Sequence, residues 1–102
     1  MGDTGLSQED IKLIKSVFTK YPEIERVVLY GSRAMGTYRN NSDIDLTLFG
    51  KKLDLTLQQA IENDLDDLLL PWRFDVSIFE RLTNKDLLTH INRVGKVFYQ
   101  RQ

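Results

Sequence analysis

The sequence contains no cysteine among its 102 residues. A chain without thiols forms no disulfide, has no thiol nucleophile and offers no cysteine ligand to zinc or to an iron–sulfur cluster. This composition is compatible with a reducing compartment.

An excess of charge and a long apolar run are also missing. The 14 basic and 15 acidic residues leave a net charge of −1, so no positive field draws the chain onto nucleic acid, and we expect no stable nucleic-acid binding. No apolar run approaches the roughly 20 residues that cross a bilayer, and no apolar core of a signal peptide follows Met1. We therefore expect a cytoplasmic protein without a membrane partner.

Little in the sequence divides the chain into parts. It has two prolines and six glycines, and no linker, internal repeat or low-complexity stretch separates its apolar segments. With a hydrophobic content of 41%, residues 1–102 are predicted to form a single domain with a modest core.

Apolar periodicity and capping residues predict an alternation of helices and strands. A first helix follows Ser7 as N-cap, with Asp10 in place of the usual glutamate of a capping box. The remaining predicted elements are a strand at 26–30, a helical turn and loop at 32–42, a strand at 43–49, a helix from Asp54 to Leu70, a strand at 72–79, a helix at 84–94 and a closing segment at 97–99. The predicted fold class is α+β, a small mixed sheet of at least three strands with helices packed on one face.

Carboxylates occupy one face of two predicted strands. In the segment 43–49, Asp43 and Asp45 alternate with apolar residues and so share a face, and Asp75 has the equivalent place in the segment 72–79. If these strands pair in one sheet, the three carboxylates converge, and such a cluster is costly without a cation because like charges repel. Magnesium prefers oxygen ligands, so a divalent metal site with Asp43, Asp45 and Asp75 as ligands is predicted.

A small turn, Gly31-Ser32, follows the predicted strand 26–30. Such a turn frees backbone N–H groups to hold phosphate oxygens. Together with the carboxylates it indicates transfer of a nucleotidyl group from a nucleoside triphosphate, with two Mg²⁺ ions. Gly31 and Ser32 would hold the β- and γ-phosphates, and Arg33 would add positive charge. Asp75 would complete the first metal site and accept the proton of the attacking hydroxyl.

Each signal has a plainer reading when taken alone. An Asp-X-Asp pair is common on a solvated strand edge, and Gly-Ser is common in turns. His90, the single histidine, is expected at the surface or boundary, and Trp72 in packing, with base stacking left open. The combination at successive strand ends favours the nucleotidyl-transfer site.

The stretch from Gly31-Ser32-Arg33-Ala34 to Ser42-Asp43-Ile44-Asp45-Leu46 resembles the signature of the DNA polymerase beta-like nucleotidyltransferases. More narrowly, the chain is similar to the minimal nucleotidyltransferases, or MNT proteins, with Arg73-Phe74-Asp75-Val76 as the strand of the third carboxylate. The resemblance implies a nucleotidyltransferase-like fold and the same roles for Gly31, Ser32, Asp43, Asp45 and Asp75. Met35 departs from the pattern, since many relatives carry a second arginine there.

The resemblance also implies a donor and a partner. MNT proteins use ATP and add AMP to a tyrosine of a HEPN ribonuclease toxin, so ATP, magnesium and a helical HEPN partner are expected. Two alternatives stay open at this point. One is an antitoxin that masks its partner without catalysis, and the other is a subunit that modifies a small molecule such as an antibiotic. A homo-oligomer also stays open.

Overall fold

The computed structural model describes residues 3–102, and residues 1 and 2 of the predicted domain lie outside this range. Its elements are α1 (Gln8–Thr19), β1 (Arg26–Tyr30), α2 (Gly31–Met35), β2 (Ile44–Phe49), α3 (Leu55–Asp66), β3 (Phe74–Ile78), a 3₁₀ helix (Phe79–Arg81), α4 (Lys85–Val94) and β4 (Lys96–Gln100). Within the described range no helix is long and apolar enough to span a bilayer.

The strands form one mixed sheet in the order β3-β2-β1-β4. β1 runs antiparallel to both β2 and β4, whereas β2 and β3 are parallel. The connection between these two parallel strands contains α3, as a parallel pair requires a crossover. The prediction of a small mixed sheet with at least three strands is confirmed.

Alternation along β1 and β2 sends one set of side chains into the main core. Val27 and Leu29 of β1 lie in the same buried cluster as Leu46 of β2, together with Phe18 of α1 and Leu65 of α3. Each fully buried aliphatic or aromatic side chain of this kind contributes about 1.5–3 kcal/mol relative to exposure. α1 and α3 therefore cover the face that was predicted to be apolar.

The opposite face of the sheet is covered in part by α4. Val28 and Tyr30 of β1 form a second buried cluster with Ile91 of α4. The prediction that the helices pack on one face is therefore wrong for α4. β1 is buried on both faces, and its continuous apolar run (Val27 to Tyr30) is the sequence feature that goes with a strand covered on both sides.

Several element ends were correctly predicted and others were not. Ser7 and Asp10 form the predicted capping box of α1, with both hydrogen bonds present. α3 ends at Asp66 instead of Leu70; the bonds that follow join Leu68 to Leu65 and Leu69 to Asp66, and Leu69 adopts a left-handed conformation with φ of 57°. β3 is shorter than predicted at both ends, and the closing segment is a full fourth strand, β4.

Candidate active site

Three polar side chains lie side by side across the sheet, at the end where β1 finishes and β2 and β3 begin. Asp45 of β2 lies opposite Asp75 of β3 in the parallel register and opposite Tyr30 of β1 in the antiparallel register. Residues paired in this way on adjacent strands project from the same face. Asp43 precedes the first residue of β2 by one position and is exposed, as is Asp75. The structure thus brings the three predicted carboxylates to one face and one end of the sheet.

The ionised form of Asp45 is energetically unfavourable in the folded protein. Burial raises the pKa of Asp45 to about 6, the negative charges of Asp75 and Asp43 add to this rise, and the charge of Arg33 opposes it. A carboxylate in this setting gains from a nearby cation, and the hard oxygen ligands of the three aspartates fit a divalent metal ion. Across residues 3–102, no three side chains of His, Cys, Asp or Glu form a preassembled metal-binding group.

Gly31 lies against the carboxylate of Asp45. Its φ is +75°, and a Cβ at this position would stand 2.1 Å from Oδ2 of Asp45. Any side chain here would therefore meet both backbone strain and a steric clash. The turn that was predicted to hold phosphates and the predicted metal ligand are in direct contact. Gly31 also begins α2, whose first N–H groups have no intrahelical partner.

His90 contacts the turn at Gly31, a contact that the sequence analysis did not predict. The backbone N–H of Gly31 donates a hydrogen bond of 3.1 Å to Nε2 of His90. The ring of His90 also meets the ring of Tyr30 edge-on, with 6.1 Å between centroids. A signal was present in the sequence, because helical spacing puts His90 on the apolar stripe of α4 that carries Leu87 and Ile91.

The positive charge of Arg33 opposes the rise in the pKa of Asp45, and it does so from a buried position. Its side chain is 1% exposed, and its guanidinium donates to the backbone carbonyl oxygens of Ser42 (2.9 and 3.1 Å) and Thr4 (2.8 Å). The rings of Tyr38 and Trp72 lie at 5.2 and 5.1 Å from the guanidinium carbon. The guanidinium is therefore enclosed between the segment that contains Thr4 and the loop before Asp43.

Trp72 precedes β3 and packs against the loop that leads into β2. Its indole Nε1 donates to the backbone carbonyl oxygen of Asn40 at 2.9 Å. Together with Arg33 and Tyr38 it lines a cavity of about 480 Å³. The packing interpretation of Trp72 agrees with these contacts, and they connect the start of β3 to the loop that leads into β2.

Two buried hydroxyl groups lie two residues further along β2 and β3 than Asp45 and Asp75. Thr47 of β2 is opposite Ser77 of β3, on the face that carries Asp45 and Asp75. Within the described part of the chain, Oγ1 of Thr47 is buried without a hydrogen-bond partner. Their neighbour Tyr30 has a raised pKa, chiefly because of burial; the Ser77 hydroxyl opposes this rise, and the charges of Asp75 and Asp45 add to it.

Residues 12–102 match the family described as Polymerase beta, Nucleotidyltransferase. The chain belongs to this family. Its resemblance to the polymerase beta-like nucleotidyltransferases is thereby confirmed, as is the predicted enzyme class. A relative from Haemophilus influenzae, named probable protein adenylyltransferase MntA, is 24% identical over 98 residues, which are 95% of this chain and 85% of the relative.

Solved structures share the fold of this nucleotidyltransferase. A crystal structure of a toxin-antitoxin with AMP-PNP superposes with a TM-score of 0.74 at 22% identity, covering 91% of this chain and 75% of that chain. A second solved structure is the complex of a tri-AMPylated HEPN toxin from Shewanella oneidensis with MNT antitoxin. The matching chain of that complex superposes with a TM-score of 0.60 at 19% identity, and the match covers 91% of this chain and 68% of the matching chain. The predicted α+β nucleotidyltransferase-like fold class is confirmed.

Proposed function

We propose that this nucleotidyltransferase transfers AMP from ATP to a tyrosine hydroxyl of a HEPN-type toxin, with Mg²⁺, in the cytoplasm. The observation that carries the proposal is the position of Asp45, which faces Asp75 across the parallel register and touches Gly31. Carboxylates beside a turn with free N–H groups are what a reaction at a triphosphate needs. The relative named as a protein adenylyltransferase supports the same donor and product.

Each predicted site residue receives a role in this reaction. Asp43 and Asp45 would hold the metal ions, with Asp75 completing the first of them. Bound Mg²⁺ would neutralise the charge of the phosphates and of the leaving pyrophosphate. The turn at Gly31 and Ser32 would hold the β- and γ-phosphate oxygens through the N–H groups that follow that of Gly31, which donates to Nε2 of His90.

In the transfer step, one bond forms at the α-phosphorus of ATP and one bond to it breaks. The acceptor oxygen forms a bond to the α-phosphorus of ATP, and the bond from that phosphorus to the bridging oxygen breaks, releasing pyrophosphate. The proton of the acceptor hydroxyl passes to the carboxylate of Asp75. Asp75 is exposed, so a hydroxyl from another molecule can reach it.

The acceptor hydroxyl comes from a partner in this proposal. The described residues form one sheet with its helices, and the exposed carboxylates Asp43 and Asp75 face outward. The complex of an AMPylated HEPN toxin with MNT antitoxin, which has a similar fold, supports a HEPN protein as the partner that supplies this hydroxyl. Arg33 supports the site from within the protein, by holding the loop before Asp43.

The test is transfer of label from ATP labelled at the α-phosphate to a cognate HEPN protein. We expect label on the partner with Mg²⁺, none after chelation, and none with the double variant Asp43→Asn/Asp45→Asn. The matched control is Asp66→Asn/Asp67→Asn, which changes two exposed carboxylates at the end of α3 and should transfer normally. Titration of ATP into each variant separates lost binding from lost transfer.

The two alternatives give different results in the same assay. If the partner is inhibited equally by wild type and by Asp43→Asn/Asp45→Asn, the chain acts by masking and the catalytic proposal is wrong. If label moves to an aminoglycoside and not to the protein, the acceptor is a small molecule. Partner labelling by the double variant would show that the aspartates are not the metal ligands.

A further inference from the structure

We propose that His90 is the positioning residue of the nucleotide-binding turn. Its Nε2 accepts a hydrogen bond from the N–H of Gly31. This bond fixes the orientation of the Gly31 peptide and, with it, the direction of the following N–H groups, which would bind the phosphate. This proposal rests on the proposed function, and it assigns to α4 a part in nucleotide binding.

The hydrogen bond replaces a helix cap that the local sequence lacks. Gly31 is the first residue of α2, and the side chain of Tyr30, its N-cap residue, makes no capping hydrogen bond. The first N–H groups of a helix need partners from outside the helix. His90 supplies one from α4, 59 residues further along the chain.

The bond also defines the state of the imidazole. A ring nitrogen that accepts a hydrogen bond carries no proton, so this contact requires Nε2 to be unprotonated. The edge-on contact with the ring of Tyr30, a residue that is 7% exposed, restricts the rotation of the imidazole. Ile91, the next residue of α4, is buried at 3% exposure and anchors the helix at this point.

Gly31 needs such an anchor because glycine restricts its own backbone least. Its φ of +75° is one of several conformations open to it, and Oδ2 of Asp45 lies where a Cβ would be. A rotation of the Gly31 peptide would therefore move the turn relative to Asp45. By holding the N–H, His90 keeps the phosphate-binding turn and this carboxylate in one arrangement.

Two substitutions separate the acceptor from the ring. His90→Gln keeps an acceptor atom near the place of Nε2, and His90→Phe keeps a ring against Tyr30 but removes the acceptor. We expect the Kd for ATP to rise about tenfold in His90→Phe, as for one lost hydrogen bond, and by less than about threefold in His90→Gln. KM for ATP should change in the same way, with kcat little altered.

A direct readout uses the fact that the chain has a single histidine. Scalar coupling across the hydrogen bond between the Gly31 nitrogen and Nε2 is expected in the free protein and after addition of ATP and Mg²⁺. Absence of this coupling in the free protein, or its loss when ATP binds, would overturn the proposal. Thermal unfolding of both variants shows whether stability follows the same order.

The outcomes distinguish this proposal from the proposed function. Equal ATP affinity in wild type and His90→Phe, or equal losses in both variants, would contradict the positioning role and leave the nucleotidyltransferase assignment in place. Absence of ATP binding and of transfer in the wild type would contradict both.

Discussion

Asp45 and Asp75 face each other across the parallel register of β2 and β3, with Gly31 in contact with the Asp45 carboxylate. Burial raises the pKa of Asp45, and the negative charge of Asp75 adds to this rise, so the ionised form of Asp45 weakens the fold. The fold therefore carries an electrostatic penalty at the place where the proposed reaction needs cation ligands.

Asp45→Asn should stabilise the ligand-free protein at neutral pH. The pKa of Asp45 in the folded chain, about 6, exceeds its ordinary value of 3.8, so protonation favours the fold and ionisation opposes it. The stability of the wild type should fall as pH rises from about 4 to 6 and stay lower above that range. Because the side chain is partly exposed, we expect a gain of on the order of 1 kcal/mol for Asp45→Asn at pH 7.5, and no gain below pH 3.8.

Urea unfolding at both pH values measures this difference. The exposed Asp66→Asn is the control and should show no such pH dependence. A destabilised Asp45→Asn at pH 7.5 would show that the charge of Asp45 is compensated in the free protein. AMP transfer by Asp45→Asn should be lost despite its higher stability.

Comparison of Gly31→Ala with Gly36→Ala separates the effect of backbone strain from the effect of a steric clash with Asp45. Both glycines have positive φ, +75° and +79°, so each alanine costs about 1–2 kcal/mol of folding stability. Only at Gly31 would the new methyl group displace Asp45, because nothing lies within 4 Å of a Cβ at Gly36. We expect Gly31→Ala to lose more than about tenfold in ATP affinity and Gly36→Ala to retain it. Equal affinities would show that the turn and Asp45 act independently.

Arg33→Met should loosen the loop that leads to Asp43. The methionine keeps much of the apolar volume but removes the donors to the carbonyl oxygens of Ser42 and Thr4, and unpaired buried acceptors cost about 1–3 kcal/mol each. We expect a stability loss of about 3 kcal/mol and faster amide hydrogen exchange at residues 40–43. Arg39→Met, an exposed change in the same loop, is the control. Unchanged exchange in Arg33→Met would refute the anchoring role.

Thr47→Val should raise stability. The hydroxyl of Thr47 is buried without a partner, and valine has the same shape without the polar atom. Removal of an unsatisfied hydroxyl should contribute about 1 kcal/mol, measured by urea unfolding. Thr37→Val, at an exposed loop position, should change stability little. A loss in Thr47→Val would indicate an internal water bonded to the hydroxyl.

Leu69→Gly should also stabilise the fold. Leu69 has φ of 57° and is 88% exposed, so it bears the strain of the left-handed conformation and gains little burial in return. Glycine removes that strain, and after its larger loss of backbone entropy we expect a net gain of about 0.5 kcal/mol. Leu69→Ala keeps the Cβ and should show no gain in thermal unfolding. Equal stability of the two variants would contradict the strain argument.

Local patterns determined much of this protein from sequence alone. Alternation in the segments that became β2 and β3 placed Asp45 and Asp75 on polar faces, and Ser7 with Asp10 predicted the start of α1. The signature around Gly31 carried the family. These features depend on residues a few positions apart, so the periodicity of a helix or strand and the chemistry of a cap are sufficient to predict them.

Only the tertiary structure decided which of these residues meet and what each one contacts. The parallel pairing that sets Asp45 against Asp75, the burial of Arg33 in the loop and the contact from His90 to Gly31 join segments far apart in the chain. α4 could be predicted as a helix, but not its place over Val28 and Tyr30. Such contacts depend on how whole elements pack around two cores, and no local pattern encodes the choice of face.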